Sequence, residues 1–223
     1  MEIDPRRHLQ IEGTLNIRDL GGYETEDGKG KTQWRRFLRA DSLFDLPDAS
    51  RQALVDLGLR TVVDLRRGSE LATAPSVFAG STDVAYHHLD MIGEGALEEA
   101  QPLRESVERM AHMYCLWLDR RQEPVGRILS VLAAADAVPA LFNCAAGKDR
   151  TGVTSALLLS VAGVDDDVVA VLADLANALG HGVQCTPQMG VLVHCLAVIA
   201  PGRTPVSKAT VYDGALEQPF VAA

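Results

Sequence analysis

Pro139-Ala140-Leu141-Phe142-Asn143-Cys144-Ala145-Ala146-Gly147-Lys148-Asp149-Arg150-Thr151-Gly152 is the stretch that decides how this chain is read. Its first five residues are short, apolar and bounded by turn formers, which predicts a central strand running directly into Cys144. Thr151–Ala162 is apolar and stops at Gly163, which predicts a helix immediately after the loop. A strand, a glycine-bearing loop and a helix in succession aim backbone N–H groups and the positive end of a helix at an anion. The loop is therefore expected to bind phosphate through Ala145, Ala146, Gly147, Lys148, Asp149 and Arg150.

The first position of that loop is a thiol in a positive field shared with Lys148 and Arg150. Such surroundings favour the thiolate, the nucleophilic form of cysteine. A thiolate beneath a bound phosphate can attack phosphorus in line, and water can then hydrolyse the cysteinyl-phosphate. Arg150 offers a planar fork for two phosphate oxygens, which a lysine would not match. Thr151 can donate its hydroxyl to the departing thiolate. A lone cysteine between a strand and a helix is more often a small buried hydrophobe. Here its neighbours Gly147, Lys148, Asp149, Arg150, Thr151 and Gly152 are residues with chemical roles and few are core-like, so the phosphate reading prevails.

Working outward, Thr14–Ala40 alternates and turns at Gly21-Gly22 and Asp27-Gly28, which predicts antiparallel strands. Ser50–Leu57 has helical spacing and stops at Gly58, and Leu59–Leu65 reads as a buried strand. Val84–Leu89 is a further strand. A helical stretch is expected from Leu97 to Arg120, broken near Pro102, with Cys115 as a core residue on its apolar face. Another helix begins at Pro124 and ends near Asp136. Asp165 caps a helix that Gly180 closes. No assignment is made beyond Ala200.

These elements predict a three-layer α/β domain, with a mainly parallel central sheet flanked by helices and the phosphate-binding loop between a central strand and a helix. At 223 residues and 24.0 kDa the chain suits a single domain over 1–223. Its net charge of −9 argues against coating nucleic acid or an anionic membrane through the overall field. Any anion must be captured locally. The longest apolar runs, Val153–Val164 and Met189–Ala200, fall short of the roughly 20 residues a spanning helix needs. No signal peptide and no C-x-x-C pair is visible, which fits a reducing cytoplasm, although export without a recognisable signal remains compatible. His181, Cys185, His194 and Cys195 match no zinc spacing. No metal or cofactor is expected, and the oligomeric state is left open.

The C-x5-R-[ST] signature resembles the tyrosine and dual-specificity phosphatase superfamily. Within it, Cys144-Ala145-Ala146-Gly147-Lys148-Asp149-Arg150-Thr151-Gly152 is similar to an atypical branch with C-x-x-G-K-D-R-T-G, which includes a secreted mycobacterial phosphatase active on phosphotyrosine and phosphoinositides. Asn16-Ile17-Arg18-Asp19-Leu20-Gly21-Gly22-Tyr23, Leu38-Arg39-Ala40-Asp41-Ser42-Leu43 and Val63-Asp64-Leu65-Arg66 with Glu70 look like that branch's N-terminal motifs, in order. The resemblance covers about residues 11–180, leaving 181–223 divergent. It implies metal-independent hydrolysis of phosphomonoesters on a phosphorylated protein or a phosphoinositide. The alternative is a catalytically weak phosphate-binding module, supported by Asn143 where the branch usually has histidine.

By the same resemblance Asp149 is the candidate general acid, with bracing of the loop as its other reading. Asp64, at a predicted strand end, is the rival acid or a positioning residue, unless it simply pairs with Arg66. Asn16, Arg18, Asp19, Arg39, Asp41, Arg66, Glu70 and Asn143 are expected to support the loop from behind rather than to touch substrate.

Overall fold

The computed structural model describes residues 4–94, 107–165, 168–169 and 221–222. A five-stranded sheet forms from Arg18–Asp19 (β1), Phe37–Ala40 (β3), Thr61–Asp64 (β4), Ala85–His88 (β5) and Ala140–Asn143 (β6). Its order is β1-β3-β6-β4-β5. β6 lies parallel between β3 and β4, β5 is parallel to β4, and only β1 runs antiparallel, against β3. Lys31–Thr32 (β2) pairs antiparallel with Val221–Ala222 (β7) in a separate two-stranded ribbon. The expected antiparallel N-terminal segment and mainly parallel sheet are both present.

β3, β4 and β6 are buried along their whole length, as parallel strands covered on both faces must be. Successive residues serve opposite faces. Val63, Leu65 and Phe142 join one core with Met113, Tyr114, Trp117, Ile128, Leu132, Val153 and Leu159. Leu38, Val62 and Leu141 join a second core with Leu54 and Phe78. The first core lies under helices Val107–Arg120 (α3), Gln122–Ala133 (α4) and Asp149–Val161 (α5); the second lies under Asp48–Asp56 (α1). These are the three layers expected. Among the described residues no helix is long and apolar enough to cross a membrane.

Several boundaries differ from the sequence reading. α4 begins two residues before Pro124, which sits inside the first turn where its missing N–H costs nothing. It ends at Ala133 because Ala134 is extended. α5 begins at Asp149 rather than Thr151, so Asp149 and Arg150 belong to its first turn. α3 is described only from Val107, and the stretch from Leu97 to that point lies outside the described residues, as does most of the helix expected after Asp165. Asp165 does accept the Val168 N–H, at 3.3 Å, as a cap would. Cys115, read as core, is only partly buried and is disulfide-bonded. The buried face of α3 instead carries Met113, Tyr114, Trp117 and Leu118. A short helix, Gly68–Thr73 (α2), follows β4.

Candidate active site

β6 delivers Cys144 to the carboxyl edge of the sheet, where the chain leaves the strand, turns through the loop and enters α5. The turn depends on where its carbonyls go. Ala145 O accepts the Ser42 N–H at 2.9 Å. Asn16 Nδ2 donates to Ala146 O at 3.2 Å and to Gly147 O at 3.0 Å. Arg39 Nη2 donates to Gly147 O at 2.6 Å. With its carbonyls drawn outward to β3 and the N-terminal segment, the loop turns its amides the other way. Among the described residues no protein acceptor is found for the backbone N–H groups of Ala145, Ala146, Gly147, Lys148, Asp149 or Arg150. Unpaired amides at a helix N-terminus are a ready anion site.

Gly147 is needed for this approach. Its φ is +64°, and a Cβ there would stand 2.6 Å from Asp41 N and 2.7 Å from Ala40 C. Asp41 in turn fixes the N-terminal segment, accepting the Leu15 N–H at 3.0 Å and the Asn16 N–H at 3.1 Å. Arg18 Nη1 donates to Asn16 Oδ1, completing the hold on that amide. Asp19 sits further off, accepting N–H groups of Gly21 and Arg35 to close the turn between β1 and β3. Burial and the nearby Arg18 lower the Arg39 guanidinium to about 10, while Cys144 and Asp149 favour its charge.

Cys144 is 2% exposed. Thr151 Oγ1 is buried with no hydrogen-bond partner among the described residues, so its hydroxyl is uncommitted. Asn143 is fully buried, with Nδ2 3.4 Å from Cys144 O and Oδ1 unpartnered. Arg150 is held from behind: its Nη1 and Nη2 donate to the two oxygens of Glu70 at 2.7 and 2.8 Å. Nη1 also reaches Leu65 O at 3.5 Å, which leaves Nε–H and one N–H on Nη2, since guanidinium carries five donors. Burial opposes the charge on Glu70, yet the bonds from Arg150 and Arg67 hold its carboxyl down at about 2. Glu70 also accepts the Arg67 N–H at 2.9 Å, which closes the first turn of α2.

Asp149 is partly exposed, its Oδ1 accepting the Tyr114 hydroxyl and standing 3.4 Å from Lys148 Nζ. Asp64 is elsewhere in its chemistry. Fully buried, it takes Arg66 Nε at 2.9 Å and Nη2 at 2.7 Å, and Tyr86 Oη at 3.3 Å. Arg66 then ties β4 to Ser42 Oγ at 2.9 Å and Ala74 O at 2.7 Å. Sequence reasoning passed over Ser42 and Tyr114. A tyrosine on an apolar helical face was the available signal for the latter, because a buried phenol needs a partner for its hydroxyl. Among the described residues no group of three His, Cys, Asp or Glu side chains could hold a metal ion. His181, Cys185, His194 and Cys195 lie outside them.

Fold and loop together define an α/β domain in which a buried cysteine opens a loop of unpartnered amides at a helix N-terminus. A family model described as the tyrosine phosphatase family matches residues 9–178, and the chain belongs to that family. A tyrosine-protein phosphatase of Nostoc commune is 33% identical over 57% of this chain, a match that spans only 44% of that relative. The triple specificity protein phosphatase PtpB of Mycobacterium tuberculosis is 27% identical over 93% of this chain and 83% of its own length. Among solved structures, P. aeruginosa TpbA is 17% identical, covering 74% of this chain and 90% of that one at a TM-score of 0.35.

Proposed function

We propose that this chain is a phosphomonoester hydrolase of tyrosine and dual specificity that works through a cysteinyl-phosphate. The observation that carries the reading is the run of unpartnered amides from Ala145 to Arg150 that follows buried Cys144, with Arg150 braced by Glu70. The Cys144 thiolate attacks phosphorus, forming an S–P bond as the P–O bond to the ester oxygen breaks. Asp149 gives that oxygen a proton, so the substrate leaves as a neutral alcohol or phenol. Water then adds to phosphorus and gives its proton to Asp149, the S–P electron pair returns to sulfur, and inorganic phosphate is released. Loop amides and the free N–H groups of Arg150 follow the charge on the equatorial oxygens. Thr151 donates to sulfur as the thiolate leaves. No step calls for a metal.

Asp149 is preferred to Asp64 as the acid because it is partly exposed beside the loop, whereas both oxygens of Asp64 are committed to Arg66 in the interior. In this reading Asp64 positions Arg66, and Arg66 steadies Ser42 against the loop.

Turnover of an aryl phosphate in EDTA tests the proposal. Wild type is expected to be active, and Cys144→Ser and Arg150→Ala to lose activity. Full activity in Cys144→Ser sinks the mechanism, whereas an inert wild type that binds phosphopeptide tightly makes the chain a binding module. On substrate, the loop's resemblance to a branch with a member active on phosphoinositides and the partly exposed Lys148 ammonium both favour phosphoinositides alongside phosphotyrosine. Lys148→Ala is then expected to lose about tenfold more kcat/KM on bisphosphorylated inositides than on phosphotyrosine peptide, a difference near 1.4 kcal/mol. Equal losses would mean that Lys148 only neutralises Asp149.

A further inference from the structure

α3 reaches the catalytic loop through the Tyr114 hydroxyl. The ring of Tyr114 is buried in the first core, 5.5 Å from Trp117 between centroids, while its hydroxyl emerges to bond Asp149 Oδ1 thirty-five residues away in sequence. That oxygen also faces Lys148 Nζ at 3.4 Å. Arg39 from β3 and Arg150 from α5 are within electrostatic reach of the same carboxyl. Both specific contacts fall on Oδ1, and among the described residues no hydrogen bond is made to Oδ2.

We propose that Tyr114 is a positioning residue for proton transfer: its O–H holds Asp149 by Oδ1 and leaves Oδ2 to carry the proton to the departing ester oxygen. The proposal rests on the reading of Asp149 as general acid. As the P–O bond breaks, the proton moves from Oδ2 to the ester oxygen and Asp149 becomes a carboxylate. A phenol donating to Oδ1 binds that carboxylate more strongly than the neutral acid, because hydrogen bonds to an ionised acceptor are the stronger kind. Its help therefore grows toward the transition state, where it accelerates the reaction rather than merely tightening binding. Lys148 offers a charge to the same oxygen on a flexible stem, and Tyr114 supplies the fixed direction, its ring being locked by packing against Trp117.

The test is the leaving-group dependence of kcat in Tyr114→Phe, which keeps the ring and removes only the hydroxyl. On an alkyl phosphate or phosphoserine peptide the variant is expected to lose about tenfold or more in kcat, and on nitrophenyl phosphate less than about twofold, with KM little changed on either, since good leaving groups need no proton. Adding Tyr114→Phe to Asp149→Asn should cost almost nothing further. Tyr114→Met, which also lacks the hydroxyl, repeats the measurement should the phenylalanine variant fold poorly. Equal losses on both substrates, or additive losses in the double variant, overturn the proposal and reduce Tyr114 to packing. If Asp149→Asn is selective for poor leaving groups but Tyr114→Phe is not, the Tyr114 assignment alone falls. If Asp149→Asn shows no selectivity, the acid reading falls and takes this proposal with it.

Discussion

In the proposed reading, Glu70 shapes Arg150 without meeting the substrate itself. The ion pair is largely shielded, with side-chain exposures of 19% and 11%, and its two parallel bonds fix the plane of the guanidinium as well as its place. Glu70→Gln keeps the shape but replaces one acceptor oxygen with a donor facing a cation. It is expected to lower kcat/KM by about tenfold to a hundredfold on nitrophenyl phosphate and phosphoserine peptide alike, because it disturbs phosphate binding and not protonation. A loss confined to poor leaving groups would contradict that division. The pair also has a pH signature. The folded-state carboxyl of Glu70 sits at about 2, below its ordinary 4.5, so its stabilisation is fully present above about pH 5 and is lost as pH falls toward 2. The difference in Tm between wild type and Glu70→Gln is expected to be flat from pH 5 to 8 and to shrink in acid. A difference that grows on acidification would rule out the ionised pair.

At the scale of elements, the strand-loop-helix unit was legible because its signals are local: apolar residues for β6, glycines in the loop and an apolar run for α5. The support behind the loop was legible only as motif resemblance. Asn16 lies 130 residues from Ala146, and Arg39 lies 108 from Gly147, so no periodicity could place them together. Asp64 shows the limit most clearly. A strand-end carboxylate two residues before an arginine has two readings in sequence, and only its complete burial against Arg66 separates them. The start of α5 was misplaced for a related reason: Lys148, Asp149 and Arg150 read as loop, yet Gly152 N–H already closes on Lys148 O at 2.6 Å. Gly147 and Gly163 make a paired test of what the loop demands. Both have positive φ, +64° and +75°, but a Cβ on Gly163 meets nothing within 4 Å while one on Gly147 meets the backbone of β3. Gly163→Ala is expected to cost about 1–2 kcal/mol of stability with kcat unchanged. Gly147→Ala should lose about a hundredfold or more in kcat, since the loop must shift bodily. Equal kinetic effects of the two would show that backbone conformation alone matters at Gly147, and not its fit against β3.

On the scale of the whole molecule, the proposed anion site joins distant parts of the chain, and phosphate binding there is expected to be linked to global stability. The amides belong to residues 145–150, but the groups that orient them come from Asn16, Arg39, Asp41 and Ser42, which are themselves anchored in the sheet and the second core. Unfolding either partner dismantles the site, so an oxyanion that binds only the folded state must stabilise all of it. Tungstate at about 100 times its Kd should add about 2.7 kcal/mol, which for a domain of this size is about 5 to 10 °C in Tm. Removing the Asn16 amide orphans Ala146 O, at about 1–3 kcal/mol for a carbonyl left without a partner, and leaves Gly147 O to Arg39 alone. Asn16→Ala is therefore expected to lower Tm in the absence of ligand and to weaken tungstate by about tenfold or more, because the freed Ala146 carbonyl no longer anchors the loop. Calorimetry with and without tungstate separates the two effects. A lower Tm with an unchanged tungstate Kd would mean that Asn16 fastens the N-terminal segment without shaping the loop, and that the orientation of the amides is intrinsic to the turn from β6 into α5.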